Sequence, residues 1–255
     1  MTTAIVHGDQ LAAGKTKIVF AHPTEADLAY LAHQDGITAG DGARRSVIEG
    51  KGRLAGRTTA NVFRLLNRHG IATHFVAAPA DDWTLVRRCT MIPLEVVTRR
   101  LPAGSYLRRF PEAAGTRWDP PLIEFFFKDD ANHDPLITPD EIVDRGLAAA
   151  ADVAFMQSTA RSVFAVLEQA WAALQVTLVD MKIEFGRTQD GRLLVADVVD
   201  NDAWRIWLHG DQAQMLDKQV YRNAQTVDAA LLADVAARYA HVAELTDQWS
   251  AEDGQ

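Results

Sequence analysis

Asp180, Lys182 and Glu184 alternate with Val179, Met181, Ile183 and Phe185 in the stretch Leu178 to Asp202, LVDMKIEFGRTQDGRLLVADVVDND, and Asp197 follows further along it. Alternation at period two puts the three polar groups on one face of a strand and the apolar ones on the other. On a strand lining a cleft, such a face would offer carboxylates to a hard cation and an ammonium group to a phosphate. Mg²⁺ keeps water and phosphate oxygens in its shell, so Glu184 and Asp197 suffice as protein ligands if a hairpin register brings them together. A solvated sheet face with a chance pair of acids accounts for the same spacing.

Gly14-Lys15-Thr16-Lys17 places two ammonium groups two residues apart. On a short strand both would share a face and meet one polyanion. The glycines that precede a helix-opening phosphate loop are missing, and ordinary exposed lysines read the same way. Arg99 and Arg100 end a strand-like run that leads into LPAGS. Arg99 would supply a forked donor, Gly104 and Ser105 an amide and a hydroxyl, and Arg205 would complete an oxyanion site. Arginines at strand ends are also common on surfaces. Lys128-Asp129-Asp130, after the apolar run Ile123 to Phe127, marks either an exit into solvent or a strand-end loop that carries chemistry. Asp41 lies in a glycine-flanked loop, AGDGA, able to wrap a ligand or to form a plain turn. No HExxH or comparable histidine spacing supports a zinc site at His133, and the single cysteine, Cys89, reads as a core thiol.

The elements that must position these groups are legible in outline. Gly14 to Phe20 and Leu28 to Leu31 read as strands, and Gly36 to Gly52 as partly loop. Val62, Leu65 and Leu66 give a helix over Thr58 to Arg68, stopped at Gly70. Thr73 to Ala78, Thr84 to Arg88, Leu94 to Arg99 and Leu122 to Phe127 read as further strands. Pro139 near a helix start and the alanine-rich sequence to Leu174 predict one or two long helices. A hairpin turning at Thr188 to Gly191, with Leu193 to Val199 delivering Asp197, and a helical tail after Asp228 complete the series. The order implies an α+β enzyme of two closely joined lobes.

With 255 residues, 48% of them hydrophobic, the chain can bury a large core. Its 34 acidic against 26 basic residues, a formal charge of -8, argue against non-specific nucleic-acid binding. The first ten residues carry no basic flank before an apolar run, so no signal peptide is expected, and no segment approaches bilayer-spanning length. A cytoplasmic protein without nucleic-acid or membrane partners is the expectation, and a homodimer is compatible with it.

Taken in order, GKTK at 14–17, AGDGAR at 39–44, EGKG at 49–52, GIATHF at 70–75, KDDANHDP at 128–135, LVDMKIEFG at 178–186 and LDKQVYR at 216–222 resemble the SAICAR synthetase family of purine biosynthesis. The run from Ile92 to Arg109 adds to the resemblance, which covers nearly the whole chain from Leu11 to Arg222. It implies a small β-rich N-terminal lobe, residues 1–90, over a larger α+β lobe, residues 91–255, with ATP in the cleft. It implies an ATP- and Mg²⁺-dependent ligation of 5-amino-1-(5-phosphoribosyl)imidazole-4-carboxylate to L-aspartate through an acyl phosphate. By resemblance, Lys15, Lys17 and Lys182 serve the ATP phosphates, and Glu184 and Asp197 hold magnesium. Arg99, Ser105 and Arg205 grip the ribonucleotide phosphate, Lys128 and Asp202 line the acceptor and amino-acid region, and Asp41 belongs to a closing loop.

The chain departs from the family pattern after Asp197. The glutamate, the Ser-Pro pair and a small residue of that pattern are Val198, Asp200-Asn201 and Trp204 here. Val198 removes a possible water-mediated metal ligand, and Trp204 beside Arg205 is expected to alter the substrate pocket. A related ligation, with another azole carboxylate or with glutamate, therefore stands as an alternative, as does a non-catalytic nucleotide-binding protein.

Overall fold

The computed structural model describes residues 5–40 and 42–249. Strands β1 (Gln10–Ala13), β2 (Lys17–Ala21) and β3 (Leu28–His33) are followed by a separate hairpin, β4 (Gly36–Ala39) and β5 (Arg44–Val47). Helix α1 (Lys51–Arg68) leads to β6 (Phe75–Ala80), β7 (Trp83–Arg87) and the long β8 (Cys89–Arg99). A short α2 (Ser105–Arg109), β9 (Leu122–Phe127), β10 (Leu136–Ile137) and α3 (Pro139–Asp144) precede the long α4 (Ala150–Ala173). The chain ends with β11 (Val176–Thr188), β12 (Leu193–Ala196), β13 (Trp204–Leu208), α5 (Gln219–Asn223) and α6 (Ala229–Asp247).

Two larger sheets result. One has the order β1-β2-β3-β7-β6; the other runs β10-β9-β8-β11-β12, with β13 also paired to β11. Strand β11 is the spine of the second sheet. Its N-terminal half pairs with β13 and its C-terminal half with β12, on the edge opposite β8. Between the two partners that edge is open, and residues 197–203 leave the sheet there, tied back by the Lys182 amide to the Ala203 carbonyl at 2.7 Å.

The main core fills the space beneath this sheet. Leu94 and Val96 of β8 and Met181, Ile183 and Phe185 of β11 pack on Phe63 and Leu66 of α1 and on Met156, Val163, Phe164, Leu167 and Trp171 of α4. The core thus draws on residues from both sides of position 90. Strand β11 bulges between Leu178 and Asp180, so Leu178 joins Met181 on the core side while Asp180 stays with Lys182 and Glu184 on the other. Helix α3 starts from a Thr138–Glu141 capping box with Pro139 at its first position, and α6 starts from Asp228, which accepts the Leu231 amide at 2.8 Å.

Three local expectations change. Helix α1 begins at Lys51, seven residues before the apolar stripe makes it visible, and the supposed loop before it contains β4 and β5. Lys15 lies in the turn between β1 and β2, not on the strand, so the two lysines do not share a strand face. Asp197 stands just past the end of β12 with φ 70°, in the left-handed region. Among the described residues, no helix is long and apolar enough to cross a membrane.

Candidate active site

The polar face of β11 carries a continuous set of charges. Asp180 is in register with Arg99 of β8 on one side and Arg205 of β13 on the other; Lys182 stands opposite Val97, and Glu184 opposite Glu95 and Ala196. Two glutamates directly across a ladder repel one another. Lys182 relieves this by reaching Glu184 at 2.6 Å and Glu95 at 3.3 Å. Lys128, just beyond β9, donates to the other Glu184 oxygen at 2.6 Å. Lys17, the first residue of β2, meets Asp197 at 2.5 Å. Lysines from three strands or strand ends thus converge on the two acids that the sequence singled out.

Electrostatics keep Asp197 and Lys182 charged. Burial opposes the ionisation of Asp197, yet Lys17 and Lys182 outweigh it and hold the carboxyl well below the usual carboxylate range. Burial likewise opposes the charge on Lys182, and Glu184, Glu95 and Asp197 hold its ammonium protonated well above the usual lysine range. Hard, ionised oxygen donors suit Mg²⁺. Mg²⁺ usually completes its shell with phosphate oxygens and water, so two carboxylates suffice.

A second group lies further along the same face. Arg99, buried, donates to Glu124 at 2.8 Å and to Asp180 at 2.5 Å, and Arg205 donates to the same Asp180 oxygen at 2.7 Å. Gly104, at φ 54°, sets its backbone against Arg205: a Cβ there would stand 2.1 Å from Nη2. Ser105 follows as the first residue of α2.

A third group surrounds Asp202 where the chain leaves the open edge. Its carboxylate accepts from Lys218 at 2.7 Å and from the Tyr239 hydroxyl at 2.5 Å. Burial pushes this acid up, but Lys218 and Lys51 pull it down further, to about 2. Asp200 beside it goes the other way, raised by burial and by the Asp202 charge. Lys51 is fully buried at the start of α1, its ammonium 5.1 Å from the centre of the Tyr239 ring. Asp41 lies outside the described residues; Lys15 reaches toward the same loop, its Cε 3.9 Å from where a Gly42 Cβ would be.

Sequence reasoning passed over Glu95, Glu124, Lys51, Lys218 and Tyr239. Glu95 and Glu124 had a local signal, each a single acid in an apolar strand. Lys51, Lys218 and Tyr239 come from separate elements, and only folding brings them in.

The SAICAR synthetase family model matches residues 10–238. The chain belongs to the SAICAR synthetase family. The phosphoribosylaminoimidazole-succinocarboxamide synthase of Chloroflexus aurantiacus is 73% identical over 244 residues, covering 96% of this chain and 98% of that protein. The crystal structure of the corresponding synthase from Ehrlichia chaffeensis superposes with a TM-score of 0.85 at 29% identity, covering 94% of this chain and 98% of the other. A SAICAR synthetase solved in complex with ADP gives 0.83 at 30% identity, over 92% and 96% of the two chains.

Against the SAICAR synthetase pattern, the departures after Asp197 read differently in three dimensions. Trp204 does not share the polar face that carries Arg205. It pairs with Met181 on the core side of the sheet and meets Trp171 edge-on, centroids 5.2 Å apart, while Arg205 points to the opposite face. Alternation along β13 separates the two neighbours. Val198 packs with Val19 against Ala29, Leu31 and Val86, an apolar contact to the first sheet.

Proposed function

We propose that the protein joins the carboxylate of 5-amino-1-(5-phosphoribosyl)imidazole-4-carboxylate to the amine of L-aspartate, consuming ATP and giving SAICAR. The convergence of Lys17, Lys128 and Lys182 on Glu184 and Asp197, at the open edge of a sheet, carries this reading. Phosphoryl transfer to a carboxylate needs charge neutralisation and alignment, and no enzyme nucleophile.

In this reading ATP lies between the five-stranded sheet, as a small lobe, and the face of β11. Lys15 and Lys17, beside the β1–β2 turn, cover its phosphates, and Lys182 lies alongside. Glu184 and Asp197 hold Mg²⁺, which supplies Lewis-acid neutralisation of the phosphate oxygens. A substrate carboxylate oxygen attacks the γ-phosphorus and ADP leaves, giving an acyl phosphate. Its carbonyl is then open to the aspartate amine, and the C–N bond forms as inorganic phosphate departs. Lys128 offsets charge near the acceptor, and Asp202, held ionised, receives a hydrogen bond from the amine side. Arg205 and Ser105, with Arg99 behind them, take the ribonucleotide phosphate, and Asp41 contributes to the loop that closes over it. A cytoplasmic enzyme, compatible with a homodimer, belongs to the same reading.

Purified protein is incubated with ATP, Mg²⁺ and the imidazole ribonucleotide, with aspartate or glutamate, and product mass and released phosphate are followed. Aspartate-dependent amide formation with stoichiometric phosphate is expected. Turnover only with glutamate or another azole carboxylate overturns the substrate assignment. Asp197→Asn should abolish Mg²⁺-dependent turnover in a folded protein; near-normal turnover at low Mg²⁺ would sink its role as a ligand.

A further inference from the structure

Asp180 has no part in the ligation as set out above, although it shares a face with Lys182 and Glu184. It stands at the centre of a chain of alternating charges that crosses four strands. Arg109 of α2 donates to one oxygen of Glu124 at 2.5 Å, and Arg99 to the other at 2.8 Å. Arg99 then meets Asp180, and Arg205 meets the same Asp180 oxygen. Both pairings follow directly from the ladder, since Asp180 is the register partner of Arg99 and of Arg205.

We propose that Asp180 is a positioning residue that presets the guanidinium of Arg205, with Arg99 behind it, for the phosphate of the ribonucleotide. The inference rests on the assignment of Arg205 to that phosphate. One oxygen atom receiving both Nη1 groups sets how far apart and in what orientation the two arginines stand. Arg205 is also confined on its other sides: Nη2 is 3.4 Å from Gln219 Oε1, and the Gly104 backbone lies flat against it. Gln219 is itself held through its amide by Asp217 at 2.8 Å. An arginine seated in this way loses its side-chain freedom before the ligand arrives, which favours binding of a phosphate whose oxygens accept from its planar fork.

Exposure agrees with the assignment. Side-chain exposure is 3% for Arg99 and Asp180 and 18% for Arg205, so of the two arginines that meet Asp180 it is Arg205 that faces outward. Asp180 is shielded behind it and does not present its own charge to an incoming phosphate.

The test compares wild type with Asp180→Asn, Asp180→Glu and Arg205→Lys. Affinities are measured by calorimetry for the imidazole ribonucleotide carboxylate and for its dephosphorylated nucleoside, and KM is measured for all three substrates. Loss of a preset geometry by about 1 Å is expected to raise the ribonucleotide KM of Asp180→Asn about tenfold or more. Its KM for ATP and for aspartate should stay within about twofold, and nucleoside binding should match wild type, so that only the contribution of the phosphate falls. Asp180→Glu keeps the charge between the arginines but displaces it, and should show the same selective loss to a smaller degree; it carries the test if Asp180→Asn does not fold. An unchanged ratio of ribonucleotide to nucleoside affinity in the folded Asp180 variants overturns the inference while leaving the phosphate assignment intact. So does a uniform shift of every constant. An unchanged ratio in Arg205→Lys overturns the phosphate assignment itself, and the inference with it.

Discussion

Trp204 and Arg205 show how far two neighbouring side chains can differ in role. Arg205 joins Asp180 on the polar face, whereas Trp204 lies in the core with its ring against Trp171, which also meets Trp249 at 4.7 Å. Removing a buried tryptophan leaves a cavity that the surrounding helix and strands only partly fill. Trp204→Ala is therefore expected to lower stability by about 3–5 kcal/mol in denaturant titration. Its KM for the ribonucleotide should remain within about twofold of wild type, because the side chain is on the far side of the sheet. A large change in KM at full folding would return Trp204 to the pocket.

At the scale of elements, α1 shows a local preference overridden by packing. Its first turns, KGRLAG, contain glycines that argue against a helix, and its start is capped from a distance: Asp35 accepts the Gly50 amide at 3.1 Å and the Gly52 amide at 2.8 Å. The glycines allow the helix to lie on the ends of β3 and β7. A Cβ on Gly52 would be 2.7 Å from the His33 carbonyl oxygen, and one on Gly56 2.1 Å from that of Asp81. Gly56→Ala would gain about 1 kcal/mol from helix propensity. Collision with a backbone oxygen forces the helix to shift, at a cost of about 1–3 kcal/mol or more, so net destabilisation is expected. Urea unfolding decides the sign; a stabilised variant would show that the helix moves freely.

For the molecule as a whole, buried titrating groups set the response to acid. Burial, with the charges of Lys17 and Lys51, lowers His33 to about 3, and burial lowers His74 to about 4. An unfolded histidine takes a proton below its ordinary value near 6.5 while the folded one does not. Stability therefore falls as pH drops from about 6.5 toward 4, at up to about 1.4 kcal/mol per pH unit for each histidine. Asp217 opposes this. Burial raises it to about 6, so the folded state takes up its proton first and gains stability as pH falls from about 6 to 3.8. Asp200, also raised, acts in the same sense as Asp217, so the histidine contribution is read from a variant and not from the net slope. His33→Gln, which keeps a donor toward Thr84, should make the fall of Tm between pH 6.5 and 4 shallower; an identical slope would contradict a neutral buried His33.

Alternation was enough to place most of β11, an apolar run β9, and alanine-rich sequence after a helix-start proline α4, because each signal extends over several neighbouring residues. Alternation also marked Lys182 and Glu184, since charges interrupting a buried strand are costly and stand out, while Arg99 was marked by its place at the end of a strand-like run. Residues 36–52 were not readable in this way: two short strands, a remote cap and glycines selected for close approach leave no repeat. Nor was the partnership of the site residues. Asp197 lies past the end of its strand, Lys17 comes from another sheet, and Lys51, Lys218 and Tyr239 reach Asp202 from separate helices and a loop. The order of residue types along the chain determined the family and the chemistry available to it. Which face Trp204 takes, which lysine meets which acid and which carboxylate holds the arginines were decided only in the tertiary structure, because they depend on cross-strand register and on contacts between residues far apart in the chain.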